Sequence, residues 1–333
     1  MIILKKIINK LIEYRVVRFF LKFSTPKYII IYYHGVISDK DFFKLSGPNK
    51  NLYVSVSNFK KQVDLIKKKN IDVISLDELY KKNFKPKNFS IVFTFDDGYK
   101  DNFKNVYPIL KEKNYPFIIY LISIFIEDKA FKWSWWLEVW QQIMKKEFIF
   151  FEGKKIKLNT IQEKEIFFSQ IKMKLKKLNY KDQQKEVTTL FNLSSLQNYE
   201  SSFLNNDEIN YLLKDPLVYI GSHGHEHLSY KNFDNNTQYN DAMKSRSIIQ
   251  NKFNKTVEHF SYPYGNTEDI THQEYIFLKK IGYKTAVTTF DYSHKKFNPF
   301  YLCRYSIGPN VDIIDFERKL LGVDSSLRKI FFR

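Results

Sequence analysis

Ser90-Ile91-Val92-Phe93-Thr94-Phe95-Asp96-Asp97-Gly98-Tyr99 is the stretch on which the reading of this 333-residue chain turns. A short, unbroken run of β-branched and aromatic residues closed by turn residues marks a strand buried on both faces, as in a parallel sheet. It ends in two carboxylates. The C-terminal edge of such a sheet is where α/β folds bind ligands, and a glycine after the acids lets the backbone turn tightly as it leaves the strand. Taken alone, Asp-Asp-Gly is also an ordinary turn sequence. Taken as a site, one carboxylate can hold a metal while its neighbour, in a different environment, handles protons.

Working outward, Tyr28 to Tyr33 (YIIIYY) reads as another buried strand and delivers His34-Gly35 to the same edge. A polar loop follows, then a helix from Val56-Ser57 to Asn70, capped by Ser57, with Phe59, Val63 and Ile66 inward. Ile71 to Ile74 is a short strand, and Ser75 with Glu78 forms a capping box for a small helix. A helix from about Asn102 to Lys113 and a strand at Phe117 to Ile122 come after the Asp-Asp strand. Strands are then expected at Leu217 to Ser222, His259 to Tyr262, Lys284 to Thr288 and Leu302 to Ile307. Helices are expected at about Gln238 to Phe253 and Glu268 to Ile281, the latter stopped by Gly282. Strand alternating with helix predicts an α/β fold, a distorted (β/α) barrel of about seven parallel strands.

Between about 130 and 216 the alternation breaks. Trp133, Trp135, Trp136 and Trp140 cluster there, a hairpin is expected from Phe148 to Leu158 around Gly153, and a Lys-rich, weakly helical stretch follows. This reads as a mostly helical insertion on a barrel spanning 28–310, with a C-terminal helix and tail at 311–333. The tryptophans either pack the insertion onto the barrel or stack on sugar rings.

The net charge of +18 points to an acidic partner, yet the lysines are spread over the whole chain and no nucleic-acid motif accompanies them. No nucleic-acid partner is expected. Cys303 is the only cysteine, which excludes an internal disulfide. No apolar run is long enough to span a bilayer, and the N-terminus lacks the features of a secretory signal, so a cytoplasmic location is expected. Residues 1–27 instead contain a basic amphipathic helix: Leu4, Ile7, Ile8, Leu11 and Ile12 recur at helical spacing, and residues 1–22 hold six cations and one acid. Such a helix either packs on the barrel or lies on the inner face of an anionic membrane.

The strand at Leu217 ends in His223-Gly224-His225-Glu226-His227. Three histidines in five residues are hard to explain as packing. His223 and His227 are four apart and can converge on one ion, with His225 turned away, and Asp97 can add an oxygen ligand. Two His and one carboxylate leave positions open for water and substrate, which describes a catalytic metal site with Asp96 as a spare carboxylate.

At these residues the chain resembles the polysaccharide deacetylases that share the NodB homology domain, carbohydrate esterase family 4. Thr94-Phe95-Asp96-Asp97-Gly98 is similar to the first motif of that family, His223-x-x-x-His227 to its second, and Tyr262-Pro263-Tyr264-Gly265 to its third. The resemblance implies Asp96 as general base and Asp97, His223 and His227 as ligands of one divalent ion. Zinc is expected, with cobalt, nickel and manganese as alternatives. It also implies that the backbone N–H of Tyr264 meets the oxyanion, and that the substrate is an N-acetylated, or O-acetylated, glycan or glycolipid sugar of surface polysaccharide metabolism. Two positions depart from the family pattern. Ser261 stands where an arginine usually orients the base, and Leu302-Cys303-Arg304 lacks the late histidine that supplies the acid. One branch carries that histidine at the end of an N-terminal Tyr-His strand, which Tyr33-His34 resembles, so His34 is the acid candidate. Two other classes are weighed: a carbohydrate-binding relative without catalysis would lose a ligand or the base, and a basic nucleic-acid binder would leave the histidines unexplained.

Overall fold

The computed structural model describes residues 27–127, 130–271, 273–290 and 297–320. The N-terminal helix expected in 1–27, apart from Lys27 itself, and the tail beyond 320 lie outside the described residues. In chain order the strands are β1 (Tyr28–Tyr33), β2 (Gly35–Ile37), β3 (Tyr53–Ser55), β4 (Asp72–Val73), β5 (Ser90–Phe95), β6 (Phe117–Leu121), β7 (Phe148–Phe151), β8 (Lys154–Lys157), β9 (Val218–Ser222), β10 (His259–Ser261), β11 (Thr285–Val287) and β12 (Tyr305–Ser306). The main sheet is parallel, in the order β11-β10-β9-β6-β5-β1-β12, with β4 also paired to β5. Just before β12, Leu302 bridges Val287 of β11, so the last segment touches both ends of the sheet and curls it into a distorted barrel.

All six residues of β5 are buried, as a strand covered on both faces requires. The period of two sorts them. Ile91, Phe93 and Phe95 join Ile29, Ile31 and Tyr33 in the large core under the helices, whereas Val92 joins Ile30, Ile118 and Tyr120 in a separate cluster. Extending that second face past the strand ends brings Tyr32, His34, Asp96 and Asp97 into one cleft.

Several boundaries differ from the sequence reading. The helix Val56–Lys68 is capped by Ser55, whose hydroxyl accepts the Asn58 N–H, while Ser57 donates to Asp39 instead. The end of β3 supplies the extended conformation that a cap needs, which is why the earlier serine wins. The helix after the Asp-Asp turn opens as a π-helix, Asn102–Val106, and becomes α-helical only over Tyr107–Glu112. Helix formation in the expected 268–281 segment is confined to Tyr275–Ile281, because the Glu274 carboxylate takes the Thr271 and Gln273 N–H groups in a turn.

The interrupting segment holds the helices Trp135–Met144, Ile161–Leu175, Tyr180–Phe191 and Asn206–Leu212 and the expected hairpin, β7 with β8. Its helices are better specified than the lysine-rich sequence suggests: Thr160 with Glu163 and Asn205 with Glu208 form reciprocal capping boxes, and Asn179 caps the helix from Tyr180. All four tryptophans are buried in one apolar cluster that also takes in Tyr99, Ile122 and Phe125 of the barrel. Among the described residues no helix is long and apolar enough to cross a membrane.

Candidate active site

After β5 the Asp96 N–H still donates to the Tyr33 carbonyl (3.0 Å), so the ladder extends one residue past the strand. Asp97 and Gly98 then take left-handed backbone, φ 68° and 69°, and break it. His223 leaves β9 in the same way, its N–H donating to the Leu121 carbonyl at 2.8 Å. The loop that follows is tied by the Asp241 carboxylate, which accepts the N–H groups of His225 and Glu226 and the Tyr230 hydroxyl. Burial pushes the Asp241 carboxyl up, and these donors limit the rise to about 6. His227 and Tyr264 also sit at positive φ, 56° and 60°. Left-handed backbone is costly for residues with a Cβ, and three such residues in one cleft mark a site whose geometry is imposed by its surroundings.

Asp97, His223 and His227 are all buried, and one potential ligand atom from each lies within 4.8 Å of the others. Asp97 Oδ1 is 3.3 Å from His223 Nε2 and 3.4 Å from His227 Nε2. His223 Nδ1 lies 2.7 Å from the Ser261 carbonyl, an acceptor only, so Nδ1 carries the proton and the Nε2 lone pair faces the carboxylate. Two buried acceptors pointing at each other need a cation between them, and Asp97 Oδ1 has no hydrogen-bond partner of its own. The donor set therefore fits a divalent ion. His225 is elsewhere, its Nδ1 2.9 Å from Ser123 Oγ, as the spacing predicts.

Asp96 is held differently. Burial would push its carboxyl up, but the Arg304 guanidinium and His223 beside it bring it below the usual carboxylate range. Arg304 is fully buried and uses all five of its N–H donors. Nε donates to the Thr288 carbonyl (2.8 Å), Nη1 to Thr94 Oγ1 (3.1 Å) and Asp96 Oδ1 (2.8 Å), and Nη2 to Asp96 Oδ2 (2.7 Å) and Ser261 Oγ (3.0 Å). The Tyr32 ring lies 4.4 Å from its guanidinium carbon.

His34 lines the cleft with Tyr32. Its carbonyl accepts from the Asn102 side chain (2.9 Å) and that of Val36 from Asn105 (2.7 Å), so the π-helical segment positions the turn after β1. The Tyr264 phenol accepts from Trp135 Nε1 (3.0 Å), its ring packs on His227 with centroids 4.6 Å apart, and its carbonyl accepts from the Thr289 hydroxyl (2.8 Å). Lys176, ion-paired with Asp269, lies 4.5 Å above the same ring. The cleft is about 300 Å³, with Trp135, Trp136 and Phe168 as its apolar wall and Asn49, Asn51 and Asn266 among its polar groups.

The family model for polysaccharide deacetylases matches residues 83–166 and 171–297. The chain belongs to that family. Solved deacetylases share its fold. PplD of Streptococcus pyogenes, in complex with acetate, aligns with a TM-score of 0.58 at 16% identity, covering 89% of this chain and 99% of its own. The de-N-acetylase of Aggregatibacter actinomycetemcomitans gives 0.56 at 17%, covering 87% and 98%. IcaB of Ammonifex degensii gives 0.55 at 14%, covering 89% and 96%. No curated protein matches.

Of the two departures from the deacetylase pattern, Leu302-Cys303-Arg304 falls outside the matched residues and Ser261 within them, and the geometry explains the second. Ser261 replaces the usual arginine, but Arg304 of the closing segment reaches the same carboxylate and the Ser261 hydroxyl together. Sequence reasoning missed Arg304. The available signal was an arginine inside an otherwise apolar strand pattern, where a charge needs a buried partner.

Proposed function

We propose that this deacetylase-family chain is a metal-dependent hydrolase that removes the acetyl group from an N-acetylated, or O-acetylated, sugar of a glycan or glycolipid in surface polysaccharide metabolism. The observation that carries the reading is Asp97 facing the Nε2 atoms of two imidazoles beside a second carboxylate, Asp96, kept ionised by Arg304. A divalent cation, zinc by its donors with cobalt, nickel or manganese as alternatives, would be held by Asp97, His223 and His227 and would supply Lewis acidity to the acetyl carbonyl and its attacking water.

Asp96 accepts the proton of that water, a role for which an ionised, immobile carboxylate is suited. The Tyr264 N–H donates to the oxyanion as charge develops. His34, on the same rim, donates a proton to the departing amine. Trp135 and Trp136 offer apolar faces to the C–H surface of the ring. The basic segment 1–22 adds weak attachment to an anionic membrane face.

The test is metal content measured together with acetate release from N-acetylated oligosaccharides. The parent is expected to hold one ion and release acetate, and His227→Ala to lose both. Full metal occupancy in the His223→Ala/His227→Ala double variant would sink the ligand assignment.

A further inference from the structure

The hairpin β7–β8 has one face for the protein and one for something else. Ile149 and Ile156 are directly paired and turn inward, and Phe151 on the same face packs on Phe167 of the helix beneath. The other face carries Phe148 opposite Lys157 and Phe150 opposite Lys155. Both rings are open to solvent, 44% and 65% exposed, although a strand so short could have placed polar residues there at no cost to the core. Met144 and Ile161, just before and just after the hairpin, are exposed as well. Lys155 and Lys157 share that face with the rings, Lys145, Lys146 and Lys154 add to the charge of the segment against only Glu147 and Glu152, and none of these five has a carboxylate within ion-pair distance among the described residues. The Lys155 ammonium lies over the Phe148 ring, 4.1 Å from its centre.

We propose that this face docks on an anionic lipid bilayer, with Phe148 and Phe150 entering the interface and Lys155 and Lys157 meeting the headgroup phosphates. The chemistry selects this occupant. Two apolar rings want an apolar medium and unpaired ammonium groups want anions, and a bilayer interface offers the two side by side. A glycan would need hydrogen-bonding carboxylates or amides next to the rings, and that face of the two strands presents none. The docking face is also tied to the cleft. The helix Trp135–Met144 has its first turn in the cleft wall and its last residue at the hairpin base. Ten residues at 1.5 Å each set the two about 15 Å apart, so a docked hairpin keeps the cleft within reach of sugars attached at the membrane surface.

The experiment is flotation of the full chain with vesicles of phosphatidylcholine alone and of phosphatidylcholine with phosphatidylglycerol, over a range of salt. The parent is expected to float with the anionic vesicles and to be released by salt. Phe148→Ser/Phe150→Ser should weaken that partitioning by about tenfold or more. Lys155→Glu/Lys157→Glu should weaken it comparably at low salt and barely at high salt. Both pairs face solvent, so thermal unfolding and hydrolysis of a small soluble substrate should match the parent. Parent-like flotation of both variants overturns the proposal, as does unchanged flotation combined with lost retention on an insoluble polysaccharide, which would make the face a glycan platform.

Discussion

Arg304→Met removes the charge that pairs directly with Asp96 and changes little else in volume. In the parent, Arg304 and Asp96 are both nearly inaccessible and share two hydrogen bonds of 2.7–2.8 Å. Two unit charges about 4 Å apart at an effective dielectric near 20 attract by about 4 kcal/mol. Breaking a buried pair by deleting one partner costs a similar 3–5 kcal/mol. Without the guanidinium, burial pushes the Asp96 carboxyl up against the weaker opposition of His223 and His34, so the protonated form gains. A base works only when ionised, and its activity rises with pH through its own titration. The acid limb of kcat/KM must therefore move to higher pH, with a loss of up to about 10³-fold below the new limb that shrinks as pH rises. The assay is kcat/KM against pH on one N-acetyl sugar, with metal content checked at each end. Arg304→Lys keeps the charge but not the fork, and should fall between parent and Arg304→Met. A uniform loss at every pH with the limb in place would refute the reasoning and make Arg304 a structural residue only.

His34→Ala should lose at least about 10²-fold on an N-acetyl sugar and almost nothing on an activated aryl acetate, whose leaving group needs no proton; equal impairment on both would dismiss His34 as the acid. Trp135→Phe keeps the apolar wall and deletes the donor to the Tyr264 phenol, so kcat should fall about fivefold at unchanged KM; the opposite split would make Trp135 a sugar platform. His259, buried with Nδ1 on Thr285, is pushed down by burial to about 4. The unfolded chain then binds more protons between about pH 6.5 and 4, stability rises with pH across that window, and up to about 3 kcal/mol is lost on acidification. Denaturant unfolding of chelator-treated His259→Asn and parent should show a shallower acid slope in the variant; parallel slopes would remove His259 from the account.

What could be read from the sequence was whatever depends on local pattern. The β5 run, the Asp-Asp-Gly turn and the His223-x-x-x-His227 spacing each declare themselves within a few residues, because strand burial, turn chemistry and imidazole convergence are short-range demands. The Ser55 cap was missed in favour of Ser57 because both serines stand at the start of the same helix, and only the end of β3 decides which has extended backbone. Arg304 was passed over because its meaning lies 208 residues away, at Asp96. The tryptophans carried two readings, and both have a physical basis: all four pack the same cluster, while Trp135 and Trp136 also face the cleft.

The segment that bears Arg304 ends in the last strand of the barrel, and that strand lies against β1, the first. A ribosome therefore delivers Asp96, Asp97, His223, His227 and Tyr264 well before it delivers Arg304, the buried partner of Asp96. Until the final strand docks, Asp96 is a carboxylate in water and ionised without help; the arginine becomes necessary only when closure buries it. Closing the barrel and pairing its buried carboxylate are one event.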